Sequence, residues 1–265
     1  AQLIAEERTF AAGRLGSVEM EAVWRSERSQ KPAVQKRILK MMRNNAGFFP
    51  ENAELLKCFT DVMKIAVTKI DLLAVWYNQM EDYVIESYGK NALLTDLTAL
   101  EPWYVDNPWT SALKGKRVLI IHPFAETIQK QYQRRKYLFD KEDILPEFEA
   151  LYTVKAVQTI AGATDDRFKN WFEAFEWMFE EAMKTDFEVA IIGCGAYGFP
   201  LAAKIKEAGR CAIHMGGATQ LLFGIKGRRW DQHPIIGKLY NDYWVRPANN
   251  ERPARAADVE EGCYW

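Results

Sequence analysis

The sequence predicts an α/β fold: a mainly parallel sheet with helices on both faces and a helix-rich insertion near the N-terminus. Three observations predict it. Apolar β-type runs alternate along the chain with segments of helical periodicity, the pattern of crossover-linked parallel strands. One late segment, Phe187 to Gly217, reads as strand, glycine-rich turn, helix, strand. The chain has 265 residues, 48% hydrophobic and 13% aromatic, enough to bury one large core. Residues 1–265 are therefore read as a single domain, with the insertion at about residues 31–100.

The elements follow in order. Thr9 to Leu15 reads as a short strand ending in Gly16, and Ser17-Val18-Glu19-Met20-Glu21 leads into a helix. From about Lys31 to Tyr88 the chain is helix-rich, with Leu55, Phe59, Val62, Ala66, Ile70 and Leu73 at helical spacing, a single expected stripe. Asn44 to Pro50 breaks this region in two, and Glu101 to Ser111 reads as a loop carrying Pro102, Trp103, Pro108 and Trp109. Val118 to Ile121 is an apolar strand ending at His122-Pro123-Phe124, with a helix expected from Glu126 to Phe139. Tyr152 to Ile160 predicts another strand. Asp165 or Asp166 is placed to cap the helix whose apolar face is Phe168, Phe172, Phe175, Phe179 and Ala182.

The late unit carries the chemistry. Its turn, Gly193-Cys194-Gly195-Ala196-Tyr197-Gly198, spells G-x-G-x-x-G between an apolar strand and a helix, a Rossmann-like arrangement. Glycines there let backbone approach a diphosphate, and the helix N-terminus offers free N–H groups and partial positive charge. The same glycines also serve a plain tight turn with close packing. A dinucleotide site expects an acid about 20 residues further on. That place reads Ala212-Ile213-His214-Met215-Gly216-Gly217, so NAD is not expected.

Composition narrows the classes. A formal net charge of -1 gives no global basic field for nucleic acid. Cys58, Cys194, Cys211 and Cys263 are widely spaced with no C-x-x-C pair, which fits a reduced protein without structural zinc. No apolar run reaches the length of a membrane span and no signal peptide is visible, so a soluble, cytoplasmic protein is expected. The start at Ala1 rather than Met is consistent with residues removed upstream.

A parallel sheet lines up its strand ends along one edge, where ligands bind. The ends here carry Gly16-Ser17-Val18-Glu19, His122, Gly193 to Gly198, and His214-Met215-Gly216-Gly217. His122 and His214 read either as ligand contacts or as packed histidines. Beyond the last strand, Lys226-Gly227-Arg228-Arg229 offers guanidinium groups for a diphosphate, or simply a solvated loop. Glu19, between a strand and a helix, reads as an oxygen ligand for a divalent cation, as a base for a hydroxyl nucleophile, or as a first-turn glutamate favoured by the helix dipole. Trp103, Tyr104 and Trp109 read as a sugar-stacking platform or as anchors. The tail from Trp244 to Trp265, irregular from Arg246 to Pro253, either covers the site or packs onto the body.

The opening run Phe10 to Glu19 resembles the first strand of bacterial glycosyltransferases of the GT-D fold, which carry Arg-x-Gly-Asp-x-Glu there. Arg14, Gly16 and Glu19 match, and Ser17 stands where the pattern has aspartate. The segment from Val189 to Gly217 is similar to that family's closing βαβ unit. The resemblance implies transfer of a sugar from a nucleotide-diphosphate donor, commonly a UDP-sugar, to a glycan or glycolipid acceptor in surface polysaccharide biosynthesis. It places the enzyme in the cytoplasm, peripheral at the inner membrane face. Taken together with the strand ends and the basic loop above, it gives a donor site built from Arg14, Gly16, Ser17, His122, Gly193, Cys194, Gly195, Tyr197, Gly198, His214, Gly216, Gly217, Arg228 and Arg229, with Glu19 catalytic. A Mn²⁺ or Mg²⁺ ion at Glu19 is part of that pattern, and serine at position 17 weakens it. Two other readings stay open: another nucleotide- or phosphosugar-binding α/β enzyme, and a non-catalytic carbohydrate-binding module.

Overall fold

The computed structural model describes residues 1–253 and 262–265. Seven strands form one sheet: β1 (Ala11–Gly13), β2 (Leu72–Val75), β3 (Leu93–Asp96), β4 (Arg117–His122), β5 (Ala150–Lys155), β6 (Val189–Ile192) and β7 (Cys211–His214). Their order is β3-β2-β1-β7-β6-β4-β5, and every pair is parallel. The fold is thus the α/β, Rossmann-like sheet that the alternation of apolar runs predicts.

The strands are buried on both faces, so they read as continuous apolar runs rather than alternating ones. Period-2 geometry still divides them. Val118, Ile120, Val189, Ile191 and Ile213 enter one core, while Leu119, Ile121, Ala190, Ile192 and Ala212 enter the other. Helices Ser17–Arg28, Ala53–Lys69, Trp171–Met183 and Gly198–Glu207 contribute to the second core; helix Ala125–Tyr132 covers the first. Register fixes the site. Gly13 and Ile192 both pair with His214, and Ile121 pairs with Ile192, so four strand ends fall in one row. The first strand and the last lie side by side where chain order reverses, the place where α/β sheets open a crevice.

Several elements differ from the sequence expectation. The helix-rich stretch 31–100 also returns to the sheet twice, as β2 and β3. The expected stripe from Leu55 to Leu73 stops early. The helix that Asn52 starts, by accepting the Leu55 N–H at 2.9 Å, ends at Lys69; Ile70 is its cap and Leu73 lies in β2. Its deepest row is Leu56, Phe59, Met63 and Ala66. Asn170 rather than Asp165 or Asp166 caps the next helix, accepting from the Phe172 and Glu173 N–H groups; Asp165 pairs with Arg167. The strand expected from Tyr152 to Ile160 is β5, ending at Lys155, and the helix expected from Glu126 to Phe139 ends at Tyr132. Of the rings read as a sugar platform or as anchors, Trp103 is buried, and Trp109 donates Nε1–H to the Leu100 carbonyl at 2.8 Å, which are anchoring contacts.

The tail packs onto the body where it is described. Glu251, 3% exposed, accepts the Glu126 and Thr127 N–H groups at 2.8 and 3.2 Å and the Thr127 hydroxyl, closing the N-terminus of helix Ala125–Tyr132. Residues 254–261 of the tail lie outside the described residues.

Candidate functional site

The row of strand ends opens into a cleft of about 1090 Å³, its open mouth included. One wall is built from the chain leaving β1. Arg14 follows the last strand residue, and Gly16 precedes a helix starting at Ser17 with Glu19 in its first turn. No side chain caps that helix. The Glu19 carboxylate instead folds back over Gly16, where even a Cβ would collide with it. Glu19 is 9% exposed. Burial pushes its carboxyl above the ordinary carboxylate range, while its own backbone N–H and the Arg14 guanidinium pull the other way. That is the environment of a base poised to gain a proton.

Arg14 is the cation at the centre. Its guanidinium sits over the Trp76 ring at 4.9 Å, and its Nε is buried without a hydrogen-bond partner among the described residues. Trp76 is fixed from behind by donating Nε1–H to the Leu15 carbonyl at 2.9 Å. Glu101, largely enclosed nearby, is pushed up to about 7 by burial, against the opposing pull of Arg14 and Arg229.

The opposite wall is the glycine turn after β6. Gly195 takes φ +59°, a left-handed conformation that favours glycine, and starts the 3-10 turn Gly195–Tyr197 that runs into helix Gly198–Glu207. Gly193 has no room for a side chain: a Cβ would stand 2.5 Å from the Gly216 carbonyl oxygen. The leading N–H groups of this helical run have no intrahelical acceptor and border the cleft. Tyr197 is anchored, stacked on Trp171 at 4.9 Å with its hydroxyl 3.3 Å from Thr159 Oγ1. Burial pushes the Cys194 thiol up, so it stays protonated. The comparable helix N-terminus after β4 is already filled by Glu251, which leaves the Gly193–Gly198 turn as the open one of the two.

Both histidines are neutral. Burial lowers each to about 3, with Arg14 adding to the effect at His214. The His122 Nδ1 accepts the Phe124 N–H at 3.0 Å, so the ring proton is on Nε2. His214 Nδ1 lies 3.0 Å from the Arg14 carbonyl, to which it donates, leaving a buried and unpartnered Nε2 packed against Gly198. Neither ring brings positive charge to a diphosphate; His214 ties β7 to the chain leaving β1.

The cleft thus brings together Arg14, Gly16, Ser17, Glu19, His122, Gly193, Cys194, Gly195, Tyr197, His214, Gly216, Gly217 and Arg229. Gly198 stands behind it, against His214, and the exposed Arg228 is not among the lining residues. Arg229 donates to the Tyr264 hydroxyl at 3.1 Å and lies over the Trp230 and Tyr264 rings. Sequence reasoning passed over Trp76, hidden when β2 was absorbed into a helical stripe, and Gln220, which donates Nε2–H to the Tyr264 carbonyl at 3.1 Å. It also passed over Asn45 to Gly47 and Gln158-Thr159, loop residues with no motif of their own.

The donor set among the described residues does not fit a divalent cation. Among the described residues Glu19 is the one carboxylate lining the cleft, it faces Arg14, and no group of three His, Cys, Asp or Glu side chains is placed to hold a metal.

No family model and no curated protein matches the chain. In fold it is similar to a glycosyltransferase (DUF1792) from Streptococcus sanguinis, with a TM-score of 0.45 and 9% identity over 94% of this chain and 92% of that one. It is also similar to a selenomethionine-substituted domain of unknown function 1792, with a TM-score of 0.49 and 10% identity over 94% and 89%.

Proposed function

We propose that this chain is a glycosyltransferase that moves a sugar from a nucleotide-diphosphate donor, a UDP-sugar, to a hydroxyl of a glycan or glycolipid. The observation that carries the reading is one cleft with two facing halves. On one side a buried carboxyl, Glu19, stands beside the Arg14 cation; on the other a glycine turn presents helix N-terminal amides.

The donor diphosphate lies against the Gly193–Gly198 turn, where amides and helix dipole favour negative charge. Arg14 and Arg229 add cationic charge at the same cleft. The acceptor oxygen attacks the anomeric carbon, its proton passes to the Glu19 carboxylate, and the bond from that carbon to the diphosphate oxygen breaks. The electron pair leaves with the nucleoside diphosphate, whose growing charge Arg14, Arg229 and the turn amides stabilise. In this scheme arginine and backbone do the work otherwise given to a metal, so transfer is metal-independent. No helix among the described residues is long and apolar enough to cross a membrane, and the proposed setting is the cytoplasm.

The test is Glu19→Gln assayed by release of UDP from UDP-sugars. Turnover falls by about 10²–10⁴ while UDP affinity is kept. Full activity in that variant would remove Glu19 as the base, and loss of UDP affinity with it would make Glu19 a binding residue.

A further inference from the structure

Between Arg25 and Arg43 the chain carries seven cations (Arg25, Arg28, Lys31, Lys36, Arg37, Lys40 and Arg43) and a single acid, Glu27, a local net charge of +6 in a chain whose total is -1. Folding sorts these charges. Arg25 pairs with Glu21 and Arg43 with Glu51, and Arg28 stacks on Trp24 and Tyr83 at 4.4 and 4.2 Å. Lys31, Lys36, Arg37 and Lys40 are exposed and have no ion pair among the described residues.

Three of those four stand on helix Pro32–Met41, which Lys31 precedes. At about 100° per residue, Ala33, Lys36, Arg37 and Lys40 fall within an arc of about 100° on one face, over about 10 Å of length. The opposite face is spent on the core through Ile38 and Leu39. The exposed face is therefore a short, flat, cationic strip. Four acids line the groove beside it: Glu51 is taken by Arg43, Glu27 and Asp61 share Lys64, and Glu54 stands in the same groove as Lys57, so among the described residues none of them is paired with a cation of the strip.

The strip leads to the cleft. Helix Pro32–Met41 passes directly into the π-helical turn Met42–Ala46, and Asn45, Ala46 and Gly47 line the cleft itself. Arg43, between the two, lies against Gly162.

We infer that this face docks on an anionic phospholipid surface, holding the cleft mouth at the bilayer. Charge complementarity carries the inference: clustered, unpaired lysine and arginine on one side of an amphipathic helix are drawn to acidic headgroups. Single-stranded nucleic acid fits less well. It asks for exposed aromatic rings between the cations, and the run from Lys31 to Lys40 contains none. The inference stands apart from the proposed reaction and is tested without it.

The test is sedimentation of the whole chain with vesicles of equal parts phosphatidylglycerol and phosphatidylcholine, against phosphatidylcholine alone. Binding is expected to the acidic vesicles only and to weaken as salt rises from about 0.1 to 0.5 M. Each cation removed should weaken it roughly fivefold, so the triple variant Lys36→Ala, Arg37→Ala, Lys40→Ala loses about a hundredfold. A control triple with the same charge change elsewhere, Lys90→Ala, Lys114→Ala, Lys238→Ala, keeps wild-type binding, and circular dichroism checks that both are folded. Absence of wild-type binding, equal binding to both vesicle types, equal loss in the two triples, or displacement from acidic vesicles by a stoichiometric single-stranded RNA would each overturn it.

Discussion

At the scale of single residues, the account turns on a carboxyl that pays for its position. Glu19 is raised by burial, so its ionised form opposes folding. The sign follows from proton linkage: the folded state holds the proton more tightly, so this contribution to stability is present below the unfolded value of 4.5 and is lost as pH rises through the raised folded value. Glu19→Gln should therefore raise the melting temperature at neutral pH by a few degrees while it lowers turnover, and a lowered melting temperature would contradict that. The same ionisation is needed for catalysis, so the rate should fall as pH drops through the raised Glu19 value. Glu101, pushed up to about 7, obeys the same linkage between 4.5 and about 7. Wild-type stability should decline relative to Glu101→Gln as pH rises from 4.5 to about 7, measured by thermal melts across that range. Parallel pH curves for the two proteins would show that Glu101 does not titrate there.

At the scale of elements, two helix N-termini at the sheet edge divide their duties. The one after β4 is closed internally by Glu251, and the one after β6 is left for a ligand. Glu251→Ala removes a charged cap and should cost about 1–3 kcal/mol, read by denaturant melts. Gly193→Ala meets the Gly216 carbonyl, a backbone atom that cannot swing away, and should destabilise by about 1–3 kcal/mol. How far the sequence reaches is also visible here. The unit from Val189 to His214 was legible because apolar runs, glycines and a helix lie next to one another in the chain. β2 was not, because only Ile70-Asp71 separate Leu72–Val75 from a long helix, with no glycine or proline between, and Ile70 and Leu73 continue its apolar spacing. The helix cap at Asn170 was missed because Asp165 and Asp166 offer the same chemistry a few residues earlier. Glu251 was out of reach for another reason: its partners Glu126 and Thr127 lie more than a hundred positions away, and no local pattern announces such a pairing.

At the scale of the whole molecule, the sheet order brings the first strand beside the last, so a motif near residue 16 and a motif near residue 195 become opposite walls of one cleft. That convergence was readable in outline, since parallel strand ends share an edge. The charge of the site was not, because the neutrality of His122 and His214 comes from burial that only the fold creates. What results is a cleft with arginines and helix amides and, among the described residues, a single lining carboxylate and no constellation of metal ligands. The most direct measurement of this account is a calorimetric titration of UDP into the chain in the presence of EDTA. The account predicts saturable binding without metal, weakened at least tenfold by Arg14→Ala. Binding that appears only when Mn²⁺ is restored, or that is unchanged by Arg14→Ala, would contradict it.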